Sequence, residues 1–419
     1  MTAANASCGA SDTPSPPPSA GEEISFEVLY VGANGTGELQ GQRRLDALPV
    51  ALTTVSGAAD VLCLQGITDA TARASLRAAV ANVYPSSLDL ATNDDSPVDD
   101  ARDATGLVPP ADTAPPCAGL DVELDRVLGC LSAACAAVRG QPLATRSCIV
   151  DTGCAPDTLF PSDPERRCRS CVTNHALAGS SINEITIRCR QLVHPLSARG
   201  EHGMLLLSKL PLSNPSLAVL PAEGARRAVM GATVTTPKGQ RLDAFCATLG
   251  PTGPSTLPTD PRTDEPYPGG YGGPRDGWLR ENELQITKLG AHVTERRGDR
   301  AAVVMGNFGT SGEIDRGGAV VLPATAPLSA FRLESLFTPA IAHGYEAGCT
   351  VCADNALVRD ETPSFRNRIY LAGMSADTVR ESLRTHLGAI VPPDALGSSG
   401  RLPLSMQYGF RSTIVLPTH

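Results

Sequence analysis

Residues 301–311, Ala-Ala-Val-Val-Met-Gly-Asn-Phe-Gly-Thr-Ser, constrain this chain more than any other stretch. Five consecutive apolar residues leave no polar face for water, so they read as a buried core strand. Gly306, Asn307, Phe308 and Gly309 then stop that strand abruptly in a tight turn. Residues 59–65, Ala-Asp-Val-Leu-Cys-Leu-Gln, are a second near-continuous apolar run, of the kind covered on both faces. Such strands demand layers on either side of a sheet. In α/β sheets their ends hold polar groups rigidly at the mouth of a cleft, so any chemistry is expected there.

The remaining chain supplies those layers. Residues 24–31 read as a first strand, 44–56 as a helix, and 70–82 as a helix capped by Thr68 with Ala, Leu and Val spaced three and four apart. Residues 89–116 turn acidic and Pro-rich and lead out of the sheet. A helix over 121–139 follows, with Val122, Leu124, Val127, Leu128, Leu131 and Cys135 on one apolar face. Four strands, 203–208, 216–220, 227–235 and 241–249, are joined by short turns such as Pro237-Lys-Gly239, which predicts antiparallel neighbours. Residues 251–277 form a surface loop rich in Pro, Gly, Thr and Asp. The helix over 280–297 turns Leu284, Ile286, Leu289 and Val293 inward, 368–371 is a strand, 376–387 a short helix, and 408–416 the closing strand. Residues 1–22 read as a flexible Pro/Ser-rich arm and 23–417 as one domain, with a cysteine-rich helical insertion at 112–195.

Charge and cysteines narrow the function classes. With 44 acidic and 35 basic residues the formal charge is −9, and aromatic residues are only 4%. The overall field repels polyanions and base-stacking platforms are scarce, so strong nucleic-acid binding is not expected. No apolar run reaches the length of a transmembrane segment. Of 13 cysteines, eight fall in the insertion: Cys117, Cys130, Cys135, Cys148, Cys154, Cys168, Cys171 and Cys189. That clustering favours disulfides in an oxidising compartment, hence a secreted, periplasmic or cell-surface location, and leaves the pairing open. Cys349 and Cys352 join the disulfide candidates. Zinc at Cys168-x-x-Cys171 and Cys349-x-x-Cys352 is the lesser reading, because no histidines stand at zinc-finger spacing. Cys63 and Cys246, inside apolar strand patterns, read as buried free thiols, and Cys8 as a linker thiol.

Seven pieces, in order, resemble the endonuclease/exonuclease/phosphatase superfamily with its deoxyribonuclease I fold. They are Val28-Leu-Tyr-Val, residues 59–65, Gly203-Met-Leu-Leu-Leu-Ser-Lys-Leu-Pro, Asp243-Ala-Phe-Cys-Ala-Thr-Leu, Val303-Val-Met-Gly-Asn-Phe-Gly, Asn367-Arg-Ile-Tyr-Leu and Leu404-Ser-Met-Gln-Tyr-Gly. The resemblance implies an α/β (α+β) fold: a four-layer sandwich of two mostly antiparallel central sheets flanked by helices. Members of that family cut phosphodiester or phosphomonoester bonds, using a divalent metal on a carboxylate and a His and Asp pair that activates water. Position by position, the site residues fall here on Gly32, Gly66, Thr248, Asn307, Gly309, Tyr370, Met406 and Gln407. None of these supplies a carboxylate or an imidazole. Gln65, Gly306, Phe308, Arg368 and Ser405 survive as scaffold.

The resemblance together with these replacements implies a degenerate site: no catalytic residue, no cofactor, and no metal. The expected role is a pseudoenzyme used for binding or for assembly with an unknown protein partner or with itself. Gly32, Gly66, Thr248, Asn307, Tyr370 and Gln407 would make an uncharged floor, with Tyr370, Met406 and Thr248 filling the former pocket. The alternative is a phosphodiesterase or phosphatase with displaced ligands, which needs at least two convergent acids and Mg or Mn. A new acid/base site at His202 with Glu201, Glu223, Arg226 and Arg227 competes with the plainer reading of a solvated histidine. His175, His194, His292, His343 and His386 form no ligand spacing.

Overall fold

The computed structural model of the chain describes residues 21–32, 41–54, 59–90, 114–138, 145, 148–149, 151–154, 163–177, 180–192, 201–222, 225–250, 277–314, 320–321, 328–345, 349–352, 364–390, 402–405 and 407–416. The arm over 1–20, the loop over 251–276, Cys8, Glu223 and Met406 lie outside the described residues.

Both apolar runs become central strands, one in each of two facing sheets. The first sheet contains β1 (Glu22–Tyr30), β2 (Val61–Gln65), β3 (Ser86–Leu88), β4 (Leu205–Ser208), β12 (Val379–Thr385) and β15 (Gly409–Leu416), in the order β12-β15-β1-β2-β4-β3. The second contains β5 (Leu212–Leu220), β6 (Arg227–Thr235), β7 (Arg241–Thr248), β8 (Ala302–Ile314), β10 (Thr338–Pro339) and β11 (Ser364–Ala372), in the order β10-β11-β8-β7-β6-β5, with β9 (Val320–Val321) beside β8. A small ribbon pairs β13 (Ala389–Ile390) with β14 (Leu402–Pro403). Each main sheet is antiparallel except for one central parallel pair, β1 with β2 and β7 with β8. The expected sandwich of two mostly antiparallel sheets is therefore present, and each parallel pair is joined through a helix, as a parallel crossover requires.

Side-chain alternation sorts the strands into layers. Phe26, Val28, Val61, Cys63, Met230, Cys246, Val303, Met305, Ile369 and Leu371 point between the sheets and form the central core. Leu29, Leu62 and Leu64 point outward onto α1 (Gly41–Thr54) and α2 (Ala70–Ala79). Phe245, Val304, Phe308 and Tyr370 point outward from the second sheet. They pack on Ile286, Leu289 and Val293 of a long helix, Gly277–Arg297, and on Leu333 of a short one, Leu328–Leu336.

The insertion has a separate small core. Its helices are α3 (Asp121–Ala134), α4 (Asp163–Leu177) and α5 (Ile182–Gln191), so the long and short helices just described are α6 and α7. Four disulfides staple the insertion: Cys117–Cys168, Cys130–Cys154, Cys135–Cys148 and Cys171–Cys189. Glu123 on α3 bonds Arg126 and Arg169, whose charges hold its carboxyl down at about 2 and tie α3 to α4.

Several expectations are corrected. Cys63 and Cys246 are not free thiols. They lie on β2 and β7, face each other across the central core with Cα atoms 5.5 Å apart, and form a disulfide between the two sheets. The zinc reading fails because Cys168, Cys171, Cys349 and Cys352 are all consumed in disulfides. The strand at 301–311 does not stop on its glycines but runs to Ile314. Gly306 continues it because the strand passes close to β7: a Cβ there would lie 2.2 Å from the Ala247 carbonyl oxygen. Residues 376–387 are a 3₁₀ turn, Ala376–Thr378, followed by β12, which docks on the edge beside β15. β4 is no neighbour of β5; the chain changes sheets between them, and only β5, β6 and β7 form the antiparallel run. Val122 is exposed rather than part of the α3 face, and Asp69, not Thr68, caps α2 by accepting from the Ala72 amide.

Candidate functional site at the open end of the sandwich

The alternation that fills the central core also decides what stands at its end. Beyond Phe26 and Val28 the next inward residue of β1 is Tyr30, and beyond Val61 and Cys63 the next of β2 is Gln65. In the second sheet Thr248 follows Ala244 and Cys246, Asn307 follows Val303 and Met305, and Asn367 precedes Ile369 and Leu371. Register puts Tyr30 opposite Gln65, Thr248 opposite Asn307, and Asn307 opposite Asn367. The result is one row of hydroxyls and amides across both sheets, just above the Cys63–Cys246 bond.

Gln65 couples the two sheets. Its Nε2 donates to the Ala247 carbonyl at 2.6 Å, and its Oε1 accepts from the Asn307 amide at 3.1 Å. Both partners belong to the opposite sheet, so a fully buried glutamine spans the sandwich mouth. Asn307 is likewise engaged: its Oδ1 accepts from the Gly309 amide at 3.1 Å, and its backbone carbonyl accepts from Leu249. Gly309 takes a φ of 66°, which lets the chain fold back to that oxygen. Asn367 Nδ2 donates to the Tyr408 carbonyl at 2.9 Å, and the Gln407 amide donates to the Tyr30 carbonyl at 3.3 Å. Thr248 Oγ1 accepts from Arg227 at 3.4 Å.

The ends of β1 and β2 meet at glycines. Gly32 and Gly66 have φ of 60° and 75°, and a Cβ on Gly66 would lie 2.7 Å from Gly32 N and 2.8 Å from Gly32 Cα. Arg44, buried on α1, fixes this approach by donating to the carbonyls of Gly32, Val31 and Leu404. On the far side Asn282 and Gln285 of α6 bond the backbone of Gly250, and Asn282 also reaches the Phe308 carbonyl.

The eight positions singled out from sequence are thus not all together. Gly32, Gly66, Thr248, Asn307, Gly309 and Gln407 gather at this end. Tyr370 does not: its parity is opposite to that of Asn367 and Ile369, so it points into the outer layer. There its ring meets Phe308 edge-on at 5.1 Å, and its hydroxyl accepts from Arg368. It fills no cleft. Gln65 is more than scaffold, and Asn367, inside a matched segment, was missed as a site residue. Its spacing of two from Ile369 was the available signal.

His202 is no solvated histidine. It is buried, its Nδ1 accepts from the Met204 amide at 3.0 Å, and its Nε2 pairs with the Leu90 carbonyl. Burial pushes its pKa down to about 4. Glu201 is spent on Arg73, which also pairs with Asp89. The histidine is a neutral brace with both nitrogens occupied, which leaves no free base.

A hard divalent cation needs several oxygen ligands, with carboxylates among them to offset its dehydration. No carboxylate stands at positions 32, 65, 66, 248, 307, 309, 367 or 407. Asn282 Oδ1, Asn367 Oδ1 and Gln407 Oε1 are buried without a hydrogen-bond partner, and one carboxylate, Glu281, accepts from Gln285 Nε2 at 3.1 Å beside Gly250; three neutral amide oxygens and a single engaged carboxylate do not make such a site. Among the described residues no group of acids converges on this end, so those residues do not fit the metal that the family resemblance implies.

Fold and site together define a four-layer α/β sandwich whose mouth is lined mainly by amides, with the Arg227 guanidinium at Thr248 and the buried Glu281 carboxylate beside Gly250. Solved structures similar to the chain include endonuclease/exonuclease/phosphatase family proteins. One from Bacteroides thetaiotaomicron has 8% identity and a TM-score of 0.48, covering 95% of this chain and 100% of its own. A beta toxin mutant from Staphylococcus aureus, solved with bound magnesium ions, has 10% identity and a TM-score of 0.49, covering 93% and 99%. Sphingomyelinase C from Streptomyces griseocarneus has 12% identity and a TM-score of 0.44, covering 94% and 99%. No family model matches the chain, and no curated protein matches it.

Proposed function

We propose that this chain is a catalytically inactive relative of the metal-dependent phosphoesterases, used as a binding or assembly scaffold in an oxidising, extracytoplasmic setting. The observation that carries the reading is Gly66. It occupies the position the resemblance assigns to a metal carboxylate, and Gly32 backbone atoms fill the space a side chain would need. A ligand there is missing and also sterically barred, while Gln65 spends both side-chain polar groups on the opposite sheet and Asn307 Oδ1 is held by the Gly309 amide of its own strand. Six disulfides in the described residues support the oxidising setting, and no described helix is long and apolar enough to cross a membrane.

General acid–base catalysis contributes about 10²- to 10⁴-fold, and metal activation of water adds to that. Without either, hydrolysis of a generic phosphodiester and a phosphomonoester should stay at the buffer rate across Mg²⁺, Mn²⁺ and Ca²⁺. Chelator-sensitive turnover that co-purifies with the protein would overturn the proposal.

A further inference from the structure

Of the six disulfides in the described residues, five join positions 13 to 183 residues apart; the sixth does not. Cys349 and Cys352 are only three residues apart, and their bond closes a single turn. Cys349 is half-buried while Cys352 is buried, so one sulfur is open to approach and the other is shielded. Arg384 of β12 lies beside both: its Nη1 is 3.8 Å from Cys349 Sγ and 3.4 Å from Cys352 Sγ. The guanidinium is held there by the Tyr408 ring, whose centroid is 4.7 Å from Cζ. A fixed positive charge next to a sulfur stabilises its thiolate and makes it a better leaving group.

The turn this bond closes reaches the amide row. Thr350, between the two cysteines and fully buried, accepts through Oγ1 from the amides of Arg366 and Asn367 at 2.9 and 3.1 Å. Its carbonyl accepts from the Tyr408 amide at 2.8 Å. Thr350 therefore joins β11 to the segment leading into β15, and Asn367 closes the same junction by donating to the Tyr408 carbonyl.

We propose that Cys349–Cys352 is a thiol-exchange site, reduced by a dithiol while the other five bonds persist, and that its state sets how firmly Thr350 clamps the amide row. A thiolate of the dithiol attacks Cys349 Sγ. The Cys349–Cys352 bond breaks, and its electron pair leaves on Cys352 Sγ beside Arg384. The second thiolate of the reductant then attacks the reductant's own sulfur in the mixed disulfide and expels the Cys349 thiolate. The dithiol loses two electrons and becomes a disulfide; the protein gains them as two thiols.

Graded dithiothreitol on the full oxidised chain, quenched with iodoacetamide and mapped by peptide mass, tests this. Cys349 and Cys352 should carry label at about tenfold lower reductant than the other ten described cysteines. Their competitors are Cys130–Cys154 and Cys135–Cys148, where Cys130 and Cys148 are also half-buried. Labelling together with, or after, any other pair overturns the proposal. Arg384→Gln should slow reduction of this bond about threefold, the effect of a leaving thiol about one pKa unit weaker, and Arg384→Lys should restore the rate. Equal rates in all three proteins would contradict the role given to the guanidinium. In the selectively reduced protein, hydrogen exchange at the Arg366, Asn367 and Tyr408 amides should rise; unchanged protection would refute the link to the amide row.

Discussion

At the scale of single residues, burial decides what the polar groups do. His202 was legible as a histidine among charges, but its role turns on two backbone partners, Leu90 and Met204, that no spacing reveals. Its pKa of about 4 in the fold against 6.5 unfolded means the unfolded chain binds the extra proton first. Stability is therefore complete above about pH 6.5 and falls as pH drops toward 4, by up to about 3 kcal/mol. Urea unfolding across that range should show the decline, and His202→Gln should flatten it. An equally steep decline in the variant would assign the dependence to another group. Tyr370 makes the same point: its type was readable, but a one-residue change of parity moved it from the cleft to the outer core.

At the scale of elements, the informative events are strand ends. The periodic patterns placed most strands and helices to within a few residues, because alternating or continuous apolar burial leaves a direct trace in sequence. β8 runs through Gly306 since close strand approach, not turning, is what that glycine serves, and Gly309 at φ 66° bends the strand without ending it. β12, read as helix, becomes a strand because β15 offers an unpaired edge. The meeting of β1 and β2 at Gly32 and Gly66 is the junction most sensitive to substitution. Gly66→Ala combines an unfavourable positive φ with a backbone clash, and should cost about 2–4 kcal/mol by urea denaturation. A loss under about 0.5 kcal/mol, the range of ordinary surface changes, would show that the strand ends can part.

At the scale of the whole molecule, one covalent bond and one side chain bridge the two sheets at the same level. Cys63–Cys246 joins residues 183 apart in sequence, and Gln65 stands next to it. Loop-closure entropy for a span of that length is worth about 5 kcal/mol, an upper figure since denatured chains keep some structure. Replacing both cysteines by alanine should lower the denaturant midpoint strongly. Replacing Cys130 and Cys154, which lie 24 apart in the insertion, should cost less and leave the sandwich transition in place. Equal losses for the two double variants would mean the insertion and the sandwich unfold as one unit. This hierarchy is independent of whether the mouth performs chemistry.

The sequence by itself determined the layered α/β class, most of the long strands, the crowding of cysteines and the absence of acids at the positions the family resemblance points to. Each is written in local composition or period. Only the tertiary structure decided that Cys63 meets Cys246, that Gln65 reaches across to Asn307, that Tyr370 turns away, and that Thr350 binds β11 to the approach of β15. Those contacts join residues tens to hundreds of positions apart. Which of them form depends on how two sheets stack and on which face each residue takes, and neither is recorded in any short stretch of the chain.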